Sequence, residues 1–370
     1  MSKSKKSQLT RAIRIVFVAA FTTIEAPQAN ETLPAQIHVH KDFDLTTTGT
    51  AVAVAWSADS SSVAAASNYG DTINIWNRDG KDINKFTRND GGPAVSGSIS
   101  FAHGTSELIF APPLDTPDSV ALSIWNTSSG KVVGNILGPQ PNANYAFNRT
   151  PYFQVSPDGK YLVGGAYLGN NVIITDADSW RSITSLRVAD GAYSLSIFHS
   201  GQFALIGGGN GHAVSIKIST GQIEKSFSVY EESKYGSVNV SAIAGSPDGA
   251  HFLAGAGLIL MKGEYSHSLE QSDWAKSIPS VKIINANDGG TITSSFIPHA
   301  PIRQAVWDPR GRYVALVDSA GKLFIWNTLN ITEDPIQIQL DRPSMSIAVN
   351  ADGSQLAVAN GSKVSIFSLE

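Results

Sequence analysis

One phrase returns seven times along this 370-residue chain, and it limits the available folds more than any other feature. It consists of a strand of small residues, a tight polar turn, a second small apolar strand, another turn, and a bulkier third strand. The first turn reads Ser57-Ala58-Asp59-Ser60, Ser156-Pro157-Asp158-Gly159, His199-Ser200-Gly201, Ser246-Pro247-Asp248-Gly249, Asp308-Pro309-Arg310-Gly311 and Asn350-Ala351-Asp352-Gly353, with Ala102-His103-Gly104-Thr105 as a looser seventh. Pro presets φ in such a turn, Asp bonds its own backbone, and Gly accepts positive φ. The third strands read Ile75-Trp76-Asn77, Ile124-Trp125-Asn126, Ile174-Thr175-Asp176, Ile216-Lys217-Ile218, Ile283-Ile284-Asn285, Ile325-Trp326-Asn327 and Ile366-Phe367-Ser368.

First strands begin near residues 51, 96, 151, 192, 239, 302 and 344. The shorter intervals match the ~40–45 residues of a four-stranded blade. The sequence therefore predicts an all-β, seven-bladed β-propeller. Its closure follows from a count. The last repeat supplies three strands, Met345–Asn350, Gln355–Asn360 and Lys363–Leu369, and the stretch Gln36–Phe43 has no repeat of its own. Placing residues 36–43 as the outer strand of the C-terminal blade leaves no open sheet edge.

The Ser-Pro-Asp-Gly turn, followed about fifteen residues later by Ile-Trp-Asn, resembles the WD40-repeat family over residues 36–370. Two features depart from that pattern. Trp-Asn stands where the family has Trp-Asp, and the family's Gly-His pair is missing, with His299 alone near its place. The resemblance implies a propeller that binds partners rather than one that performs chemistry.

The inner strands need small side chains because they crowd toward an axis, and Ala51–Ala55 and Ser346–Val349 supply them. Trp76, Trp125 and Trp326 read as core between blades. Hydrophobic residues at 42 % against 16 % charged support one large core. Residues 30–370 read as a single propeller domain.

Residues 1–29 read as a signal peptide. Lys3, Lys5, Lys6, Arg11 and Arg14 precede the apolar run Ile15–Ile24, and Ala26-Pro27-Gln28-Ala29 offers a cleavage region. The expected location is periplasmic or secreted. A frayed cytoplasmic N-terminus is the alternative. No later segment is apolar for long enough to span a membrane.

The net charge of −4 argues against a nucleic-acid partner. The absence of Cys excludes disulfides and thiol nucleophiles. No nucleophile elbow, zinc-protease motif or phosphate loop occurs, so no catalytic, metal or cofactor residue is assigned. His38 and His40 have a spacing that metals use, but they read better as solvated edge-strand residues. Gly207–Gly211 lies between strands and lacks a helix behind it.

The extra length falls on one face, here called the top, where second-to-third-strand loops and blade-to-blade links meet. Its longest insert is Leu258–Pro279. Tyr145, Phe147, Tyr265, His267 and Trp274 are the expected contacts with a protein or peptide partner. The competing reading is a lactonase-like hydrolase acting at the channel mouth. It would need convergent carboxylates or histidines there.

Overall fold

The computed structural model describes residues 36–68, 71–87, 98–102, 104–110, 120–137, 152–165, 171–188, 190–198, 200–261, 269–297, 300–330 and 332–370. Seven four-stranded antiparallel sheets form a seven-bladed β-propeller. Blade one holds β2 (Ala51–Trp56), β3 (Ser62–Ser67), β4 (Thr72–Asn77) and β5 (Asp82–Thr87). Blade two holds β6 (Ser100–Ala102), β7 (Glu107–Phe110), β8 (Val120–Asn126) and β9 (Val132–Leu137). Blade three holds β10 (Tyr152–Val155), β11 (Tyr161–Gly165), β12 (Asn171–Asp176) and β13 (Ser182–Arg187). Blade four holds β14 (Ser194–Phe198), β15 (Phe203–Gly207), β16 (His212–Lys217) and β17 (Gln222–Ser228). Blade five holds β18 (Gly236–Gly245), β19 (His251–Met261), β20 (Val281–Asn285) and β21 (Thr291–Ser295), with helix α1 (Leu269–Lys276) between β19 and β20. Blade six holds β22 (Ile302–Trp307), β23 (Tyr313–Asp318), β24 (Lys322–Asn327) and β25 (Ile336–Gln339). Blade seven holds β26 (Ile347–Val349), β27 (Gln355–Ala359) and β28 (Lys363–Leu369), and β1 (Val39–Thr46) is its outer strand.

The core is divided into seven clusters, one between each pair of neighbouring blades. Alternation along each third strand creates this division. Ile75 packs toward blade two, whereas its neighbour Trp76 packs toward blade seven. Ile325 and Trp326 divide in the same way between blades seven and five. Trp76, Trp125 and Trp326 are all buried in inter-blade clusters, as the sequence predicts. The buried indole N–H groups of Trp56, Trp125 and Trp307 have no hydrogen-bond partner among the described residues.

The recurring turn is held by its own side chains. Ser57 Oγ donates to Asp59 Oδ1 at 2.6 Å and accepts the Ser62 N–H at 2.9 Å. Ser156 with Asp158 and Ser246 with Asp248 repeat the arrangement. The inner strands leave N–H groups facing the preceding blade, and side chains of that blade accept them. Ile197 N–H donates to Gln154 Oε1 at 2.7 Å, Gly245 N–H to Ser196 Oγ at 3.1 Å, Ile347 N–H to Gln304 Oε1 at 3.0 Å and Val54 N–H to Ser346 Oγ at 3.2 Å. Such side-chain acceptors remove the cost of unpaired backbone donors near the axis.

The ring closes by pairing of β1 with β28, but the outer strand lies further along the chain than residues 36–43. The ladder runs from Val39↔Leu369 to Thr46↔Lys363, and reciprocal backbone bonds between His38 and Glu370 extend it. A bulge falls between Lys41 and Phe43. It resets the alternation, so Ile37 and Val39 join the cluster against blade six while Phe43 and Leu45 join the cluster against blade one. One strand thereby seals both faces of the closing blade.

Candidate functional site

Six inner strands contain three to six residues, whereas β18 contains ten; its partner β19 contains eleven. The added length lies at the top. Beyond the blade itself, the two strands continue as a ribbon through Val238↔Ile259, Ser237↔Leu260 and Gly236↔Met261. The third strand of the blade stops short, its first rung being Val281↔Gly255. The expected loop from Leu258 is therefore corrected: the chain remains in β19 to Met261, and the insert then includes α1. Bulges at the base of the ribbon relax the register, and Ser241 Oγ ties it to Ile302 O at 2.6 Å.

The link that leads into the ribbon is anchored before it rises. Tyr230 is buried, and its hydroxyl donates to Ala254 O at 3.1 Å. Burial pushes its phenol well above the usual range. Lys282 Nζ donates to Val229 O at 2.7 Å and lies 5.0 Å from the centre of the Tyr230 ring. Burial lowers the pKa of Lys282, with the Glu231 charge opposing. Gly211 has φ of 79°, and a Cβ there would run into Tyr230 O. Only glycine lets the turn after β15 approach the link this closely.

Beside the ribbon, Trp274 of α1 packs on Tyr235 of the link, with ring centroids 6.3 Å apart and planes tilted by 42°. Both rings are half-buried, and Lys234 Nζ stands 4.8 Å from the Tyr235 centroid. Lys234, Asp273 and Lys276 are exposed around this pair. The structure thus places Trp274 in a half-buried aromatic pair. Tyr145, Phe147, Tyr265 and His267 lie outside the described residues.

A second feature of the same face was not singled out from sequence. A cavity of 490 Å³ lies at the top of blade four, against the link from blade three. Val188, Ile206 and Val214 contribute apolar walls, and Asp190, His212, Ser226 and Ser228 contribute polar ones. His212 Nδ1 lies 2.7 Å from Asp190 Oδ2, and Asn210 Nδ2 donates to Asp190 Oδ1 at 3.1 Å. The pair joins a second-to-third-strand turn to a blade-to-blade link. The rule that these two loop types share a face is the signal that finds it.

Among the described residues, the seven inner strands carry no Asp, Glu or His, and Arg303 is their one charged residue. No group of three or more His, Cys, Asp or Glu is placed to hold a metal ion among the described residues. No helix among them is long and apolar enough to cross a membrane. No protein-family model matches the chain, and no curated protein matches it.

Proposed function

We propose that this protein is a non-enzymatic scaffold of the WD40-like kind that recognises a protein or peptide partner through its top face. The observation that carries this reading is the blade-five ribbon. It is the longest strand pair among the described residues, and a half-buried Tyr235–Trp274 pair with the Lys234 cation lies beside it. Half-open aromatics on a rigid support, ringed by charges, match the composition of interface centres. The roots of the ribbon at Tyr230, Lys282 and Gly211 favour a surface formed in advance, which lowers the ordering cost of binding. The uncharged inner strands, apart from Arg303, give the channel-mouth hydrolase reading no comparable support.

Site-specific photocrosslinking tests the face directly. A photoreactive residue at position 234 or 276 should yield partner adducts in native extracts. The same residue at position 79, in a turn on the opposite face, should not. Adducts from position 79 with none from the ribbon would reverse the assignment.

We also propose that the mature protein is exported, to the periplasm or outside the cell, after removal of residues 1–29. N-terminal sequencing of native protein should find a chain starting near Asn30; one retaining residues 1–29 would mean that the leader is not cleaved.

A further inference from the structure

We propose that the top-face cavity at blade four binds an apolar ring carrying one hydrogen-bond donor, an indole or a phenol. The Asp190–His212 pair sets the polar end of the cavity. A carboxylate only accepts, so the 2.7 Å contact requires the proton on His212 Nδ1. In the neutral ring Nε2 is then an acceptor. Asn210 occupies the other carboxylate oxygen and fixes Asp190 in place, which in turn fixes the imidazole tautomer. Strand register places Ser228 opposite His212, and Ser226 opposite Val214, on the same side of the blade.

The cavity therefore combines an aliphatic wall with the His212 ring and two hydroxyls at its edge. Its 490 Å³ falls within the range of ordinary small-ligand pockets. A ligand with no donor would bury Nε2 unpaired, at a cost comparable to a lost hydrogen bond. An anion would meet Asp190, and among the described residues no Lys or Arg lines the cavity to receive it. A flat apolar ring with one N–H or O–H satisfies both the wall and the acceptor. It can come from a Trp or Tyr side chain of a protein partner or from a free metabolite of that shape. The site is separate from the blade-five ribbon, and either reading can fail alone.

The test uses the folded chain with indole, 1-methylindole and benzoate, titrated by NMR. Indole should bind about fivefold to tenfold more tightly than 1-methylindole, which differs in lacking the donor, and benzoate should bind more weakly still. His212→Phe preserves the apolar body and should erase the preference for indole. The ¹⁵N shifts of His212 should report the Nδ1–H tautomer in the free protein, whatever the ligand does. N-acetyltryptophanamide binding as well as indole would indicate a side chain of a partner; indole binding alone would indicate a free small molecule. Equal affinity for indole and 1-methylindole, tighter binding of benzoate, an Nε2–H tautomer, or no binding of either indole would each overturn the proposal.

Discussion

Blade seven and blade five use similar material for opposite ends. In blade seven the carboxylates of the outer strand are consumed by neighbouring groups of the same seam. Asp42 accepts from Ser368 and Gln355, while Asp44 accepts from Ser365, Lys41 and Lys363. The neighbouring turns add to this. Arg312, bound to buried Asp308, donates to Gly353 O together with Tyr313, and Arg78 of blade one reaches Ser354 and Gln355. In blade five the added backbone and aromatics extend beyond the neighbouring strands and stay partly open. One region joins the chain ends through mutually satisfied groups. The other keeps its aromatic pair half-buried beside an anchored root. Stability and recognition should therefore be separable by mutation.

The largest effect should come from removing β1. Deleting residues 1–34 should leave the melting temperature unchanged, because none of the ladder to β28 is lost. Deleting 1–45 removes nearly all of that ladder and uncovers the apolar faces that Phe43 and Leu45 seal. Soluble, cooperative folding should be lost, as read by expression and calorimetry. Equal melting of the two truncations would remove the distinction drawn for the seam.

Gly353→Ala comes next. Its φ is 71°, and a Cβ would run into Asp308 Oδ1 beside Arg312. Strain and displacement of that buried pair should cost on the order of 2–4 kcal/mol in chemical denaturation. A near-neutral result would show that the blade six–seven junction adapts.

The seam and the turns should also respond to acid. Burial raises the Asp44 carboxyl, but hydrogen bonds from Lys41 and Ser365 and the nearby lysine charges outweigh it and hold it below 3.8. The Ser57 hydroxyl and the Ser61 N–H hold Asp59 low, and similar bonds overcome burial at Asp158, Asp248 and Asp352. Because these folded-state values are depressed, their stabilisation is present above pH 3.8 and is lost as the pH falls through the depressed values. Melting should be nearly flat down to about pH 4 and fall below it. Asp44→Asn should flatten that acid limb slightly and cost about 1 kcal/mol or less at neutral pH, since the group is only partly buried.

Tyr235→Ser with Trp274→Ser should likewise have only a small effect on stability. The pair is half-buried, so about 1 kcal/mol is at stake, read as a small shift in the denaturation midpoint. A large loss would make the pair part of the core and weaken its assignment to recognition.

The sequence shows the ring and its closure because both rest on counting: seven turns, seven third strands and one orphan strand. The burial of Trp76, Trp125 and Trp326 follows from their repeat position. Other features are invisible there for physical reasons. Residues 37, 39, 41, 43 and 45 look like one uninterrupted face, and only the bulge at Asp42 divides them between two blades. The continuation of β19 is hidden by Gly255 and Gly257, which suggest a strand end. In the fold they are places where a Cβ would meet Ile302 and Ser241. Asp190 and His212 lie in different connections, and their contact depends on how blades three and four pack. Of the expected partner-binding residues, the structure describes Trp274 alone.

The most direct test of the separation is a paired capture experiment. Wild type, Tyr235→Ser with Trp274→Ser, and Asp42→Ala with Asp44→Ala would each be used as bait in native extracts below their melting temperatures, with isotope-labelled quantification of what they retain. The ribbon variant should lose a specific set of partners while its melting temperature barely moves. The seam variant should melt lower but keep that set. If both variants retain the same proteins as wild type, or if the seam variant alone loses them, recognition does not reside on the blade-five ribbon.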